Sequence, residues 1–134
     1  ARYCRCCGRV RYYSGTAVYK TTFRWKSKVK EDRRVYLNLG KVCDLATVRV
    51  NGIDCGTIWT APYRADITAA LKKGVNELEI EVTNTWANAL KGADEGKAPF
   101  DGIWTNAKYR RAENTLLPAG LLGPLNFDVA NKNK

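Results

Sequence analysis

The chain has 134 residues, 45% of them apolar, and its 23 basic and 13 acidic residues leave a formal net charge of +10. That length suits one domain with a single core between two layers, and no apolar run approaches the roughly 18 residues of a membrane-crossing helix. No apolar secretion-signal stretch opens the chain, and the absence of histidine rules out a Ser-His-Asp triad.

In chain order, GTAVYKTTFRW (15–25) alternates, with Tyr19, Thr21, Phe23 and Trp25 on one face. The pattern predicts a strand packed on one side, with Trp25 in the core. RVYLNLG (34–40) predicts a second strand with Val35, Leu37 and Leu39 inward. LATVRVNGIDCGTIW (45–59) predicts a hairpin: Val48 and Val50 alternate, and Asn51–Gly52 is the favoured type I′ turn pair. After Pro62, YRADIT (63–68) predicts a short strand, and ITAALKKG (67–74) a brief helical turn ended by Gly74. NELEIEVTN (76–84) is the most regular strand, with Leu78, Ile80 and Val82 inward and Glu77, Glu79 and Glu81 outward. Residues 87–115, with Gly92, Gly96, Pro99 and Gly102 among Phe100, Trp104 and Tyr109, read as a long functional loop. LLPAGLLGPLNFDV (116–129) leads into a closing strand around 125–129. Repeated short strands with little helix predict an all-β sandwich, and this connection order predicts a jelly roll.

Charge placement argues against a nucleic-acid module. Arg2, Arg5, Arg9, Arg11, Lys132 and Lys134 lie in the two tails, whereas all 13 acidic residues lie between them. The densest internal cluster, WKSKVKEDRR (25–34), reads as a solvated turn between strands. No nucleic-acid-binding signature accompanies it, so such a module ranks last among the readings. The five cysteines, Cys4, Cys6, Cys7, Cys43 and Cys55, lack the histidines or second CxxC of a tetrahedral zinc site. Cys43 and Cys55 sit in apolar strand contexts and read as small core residues. The start ARYCRCC, in a chain without methionine, is expected of a processed product or an excised piece.

Taken together, GTAVYKTTF (15–23), the VRVNG…GTIW hairpin, YRADIT, NELEIEVTNTWANAL (76–90) and LLPAGLLGP (116–124) resemble a known kind of domain. It is the galactose-binding-like β-sandwich of the glycoside hydrolase family 2 sugar-binding type. The chain is similar in particular to the C-terminal accessory sandwich of large bacterial rhamnosidase-like enzymes that degrade plant polysaccharides. The resemblance spans about residues 12–129. It implies one sandwich there, a remnant of a domain cut over residues 1–11, where CRCCGRV has no place in the fold, and a tail over 130–134. It further implies a non-catalytic accessory role, with plant cell-wall polysaccharide and the catalytic domain of a parent hydrolase as partners. The expected location of that parent is secreted, periplasmic or at the cell surface.

Glycan binding calls for an aromatic face for the C–H side of a pyranose and polar groups for its hydroxyls. The candidates are Trp59, Tyr63 and Arg64 after the hairpin, Trp86 with Asn88 after the most regular strand, and Asp101 with Trp104 in the long loop. Asn84 reads as a satisfier of backbone groups where its strand opens, and Asn51 as a turn residue. No cofactor is expected. Asp94, Glu95 and Asp101 are weak candidates for a structural calcium ion, since their spacing matches no defined calcium loop. A purely structural accessory sandwich is the alternative, and it predicts that Trp59, Trp86 and Trp104 are all buried.

Overall fold

A computed structural model describes residues 12, 14–96, 102, 116 and 118–131. The chain divides into two compact units, Thr16–Thr83 with Ala119–Lys134, and Ala1–Gly15 with Asn84–Pro118.

The first unit is built on its longest regular segment. Alternation over Gly74–Thr83 makes a ten-residue strand, β7, whose neighbours are β1 (Thr16–Trp25) and β4 (Leu45–Val50), both antiparallel. β4 turns into β5 (Ile53–Ile58), giving the sheet order β1-β7-β4-β5. That turn works because Asn51 and Gly52 have φ of 53° and 77°, the left-handed pair a type I′ hairpin requires. A second sheet has β2 (Arg33–Asn38) between β6 (Arg64–Asp66) and β9 (Asn126–Asn131). A third pairs β3 (Lys41–Cys43) with β8 (Gly120–Gly123). Neighbouring strands are mostly distant in sequence, as a jelly-roll β-sandwich requires.

Period-two alternation puts the core where it was expected. Val35 and Leu37 of β2, Val48 and Val50 of β4, and Leu78, Ile80 and Val82 of β7 are all buried in one cluster, joined by Leu39 and Ile67. β1 follows the pattern only partly, because it is the edge of its sheet. Phe23 and Trp25 pack against the core and meet Phe127 at 4.9 and 5.5 Å, while Tyr19 and Thr21 on the same face stay exposed. At Gly40, where the chain passes Gly123, an added Cβ would lie 2.5 Å from that residue's backbone, so no larger side chain fits.

One polar residue shares the core face of β7. Asn76 is 0% exposed, and its carboxamide is fully used. Its oxygen accepts from Lys72 N and Asn51 Nδ2, both at 2.9 Å, and its nitrogen donates to the Lys72 and Gly74 carbonyls at 2.8 and 3.0 Å. Asn51 completes the network by donating to Ala70 O and accepting from Glu77 N. A buried amide with every donor and acceptor paired fixes three segments at once. They are the β4–β5 turn, the 67–73 turn and the start of β7.

The second unit corrects the expectation of an irregular 87–115 loop, because Ala87–Asp94 is an α-helix, α1. Its N-cap residue Trp86 makes no side-chain capping bond. The orphan N–H of Ala89 is instead met by Ser14 Oγ at 3.1 Å, from 75 residues earlier in the chain. Buried Tyr12 lies against Gly92, where a Cβ would come within 2.8 Å of the ring, and its hydroxyl donates to Glu95 Oε2 at 2.7 Å. Asn84 bonds Gly15 through both its side chain and its backbone N–H. The sequence signal for this helix is weak because its cap and its packing partner are both remote.

Candidate glycan-contacting surface

The β5–β6 connection carries three of the sequence candidates. Ile58 ends β5 buried in the core, and the next residue, Trp59, is 70% exposed. The chain then turns through a cis Ala61–Pro62 bond, and Arg64 N donates to Pro62 O at 2.9 Å. Tyr63 is half-buried against the core, and its carbonyl accepts from Leu39 N at 2.7 Å, so it anchors the connection. Arg64 lies exposed at the start of β6 with its guanidinium 4.8 Å from the centre of the Tyr36 ring, a cation–π distance. It enters no ion pair among the described residues, so its donors remain available. The connection thus leaves the Trp59 indole open with Tyr63 as its anchor, and β6 begins with the guanidinium of Arg64 held over Tyr36.

Trp86 and Asn88 belong to the other unit. Trp86 is 56% exposed at the start of α1, whereas Asn88, 5% exposed, is turned into the protein. Asp101 and Trp104 lie outside the described residues. Of the calcium candidates, Asp101 and the Asp94 side chain lie outside them too, and Glu95 is engaged by Tyr12 and by Lys91 at 3.8 Å. Among the described residues no three acidic, cysteine or histidine side chains gather as a metal set.

The family model described as glycosyl hydrolase 2 galactose-binding domain-like matches residues 9–116. The chain belongs to this family. The galactose-binding-like domain is 38% identical, over 90% of its length, to a Formosa agariphila protein named "Putative beta-glucuronidase". It superposes on the solved structure of a rhamnosidase from Novosphingobium sp. PP1Y with a TM-score of 0.79, at 44% identity over 94% of the chain. It spans only 12% of the length of each of these two proteins.

Two acidic residues of the galactose-binding-like domain, Glu79 and Glu81, form a surface ladder with cations. Arg49 Nη1 sits 3.1 Å from Glu79 and 3.0 Å from Glu81, and Lys20 Nζ is 3.1 Å from Glu79. The Lys20 hydrogen bond is the largest influence, and with the Lys20 charge and Arg49 it outweighs desolvation and holds the Glu79 carboxyl below its ordinary range. A glycosidic general acid needs the opposite displacement. Burial pushes the Cys43 and Cys55 thiols up, so both stay protonated and poorly nucleophilic at neutral pH. Both are free thiols in strands of the domain.

Sequence reasoning missed one cluster. The 28–31 segment of the β1–β2 connection, read as a solvated turn, lies beside the 67–73 turn and forms with it a depression rimmed by lysines. Its signal was present as KVK and LKK, two short basic runs that each carry one apolar residue. Nothing local in the sequence brings them together.

Proposed function

We propose that this chain is a non-catalytic, glycan-binding accessory domain of a glycoside hydrolase family 2-type enzyme that acts on plant polysaccharide outside the cytoplasm. The carrying observation is the 70% exposure of Trp59 immediately after a core residue. A large aromatic left open on a connection, with a guanidinium following at the start of β6, supplies the residue types that stack a pyranose and hold its hydroxyls. A purely structural sandwich would bury it, in its own core or against the rest of the parent enzyme. The non-catalytic part of the reading is supported by the ladder that commits Glu79 and Glu81 to cations and by the small share of each hydrolase relative that the chain spans.

The test is a tryptophan-fluorescence titration of the protein with the neutral glycans xylan, galactan and β-glucan in soluble form, at low and high salt. The expected result is a saturable response to one glycan that persists in salt. Trp59→Ala, with an unchanged circular-dichroism spectrum, should weaken it by about tenfold or more, equivalent to about 1.4 kcal/mol. If no glycan gives a saturable response, the binding reading fails, and the Trp59 face is then a contact with the rest of the parent enzyme.

A further inference from the structure

We propose that the lysine-rimmed depression between the β1–β2 connection and the 67–73 turn is a second binding site, for a sugar unit bearing a carboxylate or a sulfate. The choice of a sugar as the carrier of the anion rests on the carbohydrate-binding reading above. The depression itself uses none of the Trp59 surface.

Two local structures build it. Leaving β1, the chain runs through Lys28, Val29, Lys30 and Glu31, with Val29 half-buried against the core and Arg33 N donating to Lys30 O at 3.0 Å to close the turn. Leaving β6, Ile67 is buried, and its carbonyl accepts from Ala70 N and Leu71 N, giving one helical turn that seats Leu71 against the same core. Lys72 follows, with its backbone N–H and C=O both held by the buried Asn76 carboxamide. The position from which its side chain springs is therefore set by a paired, buried group. The result is a depression of about 370 Å³ with Val29 and Leu71 below and Lys28, Lys30, Lys72 and Lys73 around it.

Its charge state points to an anion. Lys20 and Lys91 each pair with a glutamate, and Arg34 and Arg49 with acidic neighbours. None of the four rim lysines forms an ion pair among the described residues, nor does Glu31, which also lines the depression. Four cations against one carboxylate in a concave site concentrate positive potential that a bound anion would neutralise. Lysine ammonium groups act as compact point charges with rotatable donors, so they accept either a carboxylate or a tetrahedral sulfate. The volume lies at the low end of small-ligand sites, about 300–1,000 Å³, and suits a ring more than a rod-shaped duplex. No aromatic side chain lines it, which removes the stacking platform that single-stranded nucleic acid uses. The aliphatic stems and the Val29–Leu71 floor instead suit the C–H face of a saturated ring.

The two sites can be separated experimentally because β5 lies between them. Trp59 follows the end of β5, whereas Asn51, just before its start, is bonded to Ala70 O and Asn76 beside the depression. Six residues of strand span about 20 Å.

The test uses the full chain in affinity electrophoresis and calorimetry at physiological salt. The probes are polygalacturonate, a sulfated galactan, a neutral glycan and a single-stranded oligonucleotide. Lys28→Gln with Lys72→Gln should weaken binding of an acidic glycan by about tenfold or more, as expected for losing two charge-assisted contacts. Lys26→Gln with Lys41→Gln removes the same charge away from the depression and should leave binding within about twofold. Trp59→Ala should not change it. A preference between the first two probes identifies the anionic group. Equal weakening by both lysine pairs, oligonucleotide binding as tight and as dependent on Lys28 and Lys72, or no binding of either acidic glycan would each overturn the proposal. Neutral-glycan binding that survives such an outcome would leave the Trp59 reading standing. Acidic-glycan binding without any neutral-glycan response would remove the Trp59 reading alone.

Discussion

Asn76 carries a structural load that its place in the strand does not advertise. In NELEIEV it reads as the polar residue that opens a strand, yet it has the same inward parity as Leu78, Ile80 and Val82 and is as deeply buried. Asn76→Ala would leave Lys72 N and the Lys72 and Gly74 carbonyls without their partner and would strip Asn51 of one acceptor. Each bond lost contributes about 0.5–1.5 kcal/mol, more where water cannot reach the freed group, so the expected loss over the four bonds is about 2 kcal/mol or more in denaturant unfolding. Asn76→Asp, an isostere that faces two carbonyls with no donor, should be no better. A variant close to wild-type stability would show that the network is not what fixes the 67–73 turn. The inward position of Asn76 was legible from parity alone. Its partners were not, because two of the four bonds go to the Lys72 backbone, in a turn that has no fixed geometry until it is folded.

Elements whose information is local were legible in the sequence. β2, β4 and β7 each carry period-two alternation over six or more residues, and Asn51–Gly52 supplies the turn chemistry within two residues. The helix α1 is the contrary case. ANALKGAD lacks a capping side chain at its own start and includes Gly92, a poor helix former. Both apparent faults are resolved by the segment before β1. Ser14 caps Ala89, and the missing Cβ of Gly92 admits the Tyr12 ring. Ser14→Ala should therefore destabilise α1 specifically, by about 1 kcal/mol as for loss of an N-cap. Hydrogen exchange is the suitable readout. The Ala89 amide and the amides of the helix should exchange faster, while those of β7 and β4 stay protected. Uniform acceleration across both units would mean that Ser14 supports the whole fold and not the helix alone.

For the whole molecule, the lysine depression explains what remained illegible. Its two halves, 28–31 and 68–73, meet only after the strands around them have paired, so their unneutralised charge reads as ordinary loop solvation one segment at a time. Charge also governs how the molecule responds to pH. The sequence has no histidine, and burial pushes the Cys43 and Cys55 thiols above their ordinary range, so neither thiol titrates between about pH 5 and 8. Below that interval the carboxylates protonate, and the net charge climbs from +10 toward +23, the full count of lysines and arginines. Self-repulsion then rises while the Lys20–Glu79–Arg49–Glu81 ladder loses its acids. Glu79 binds its proton less tightly in the folded chain than in the unfolded one. Its stabilising contribution is therefore present above the unfolded-state value and is lost as pH falls through the lower, folded one. Glu79→Gln should be less stable than wild type at neutral pH, and the gap should close as the solution is acidified past the carboxylate range. Denaturant midpoints measured across pH check this directly. A gap that stays constant into acid would show that Glu79 contributes through packing on the sheet face and not through its charge.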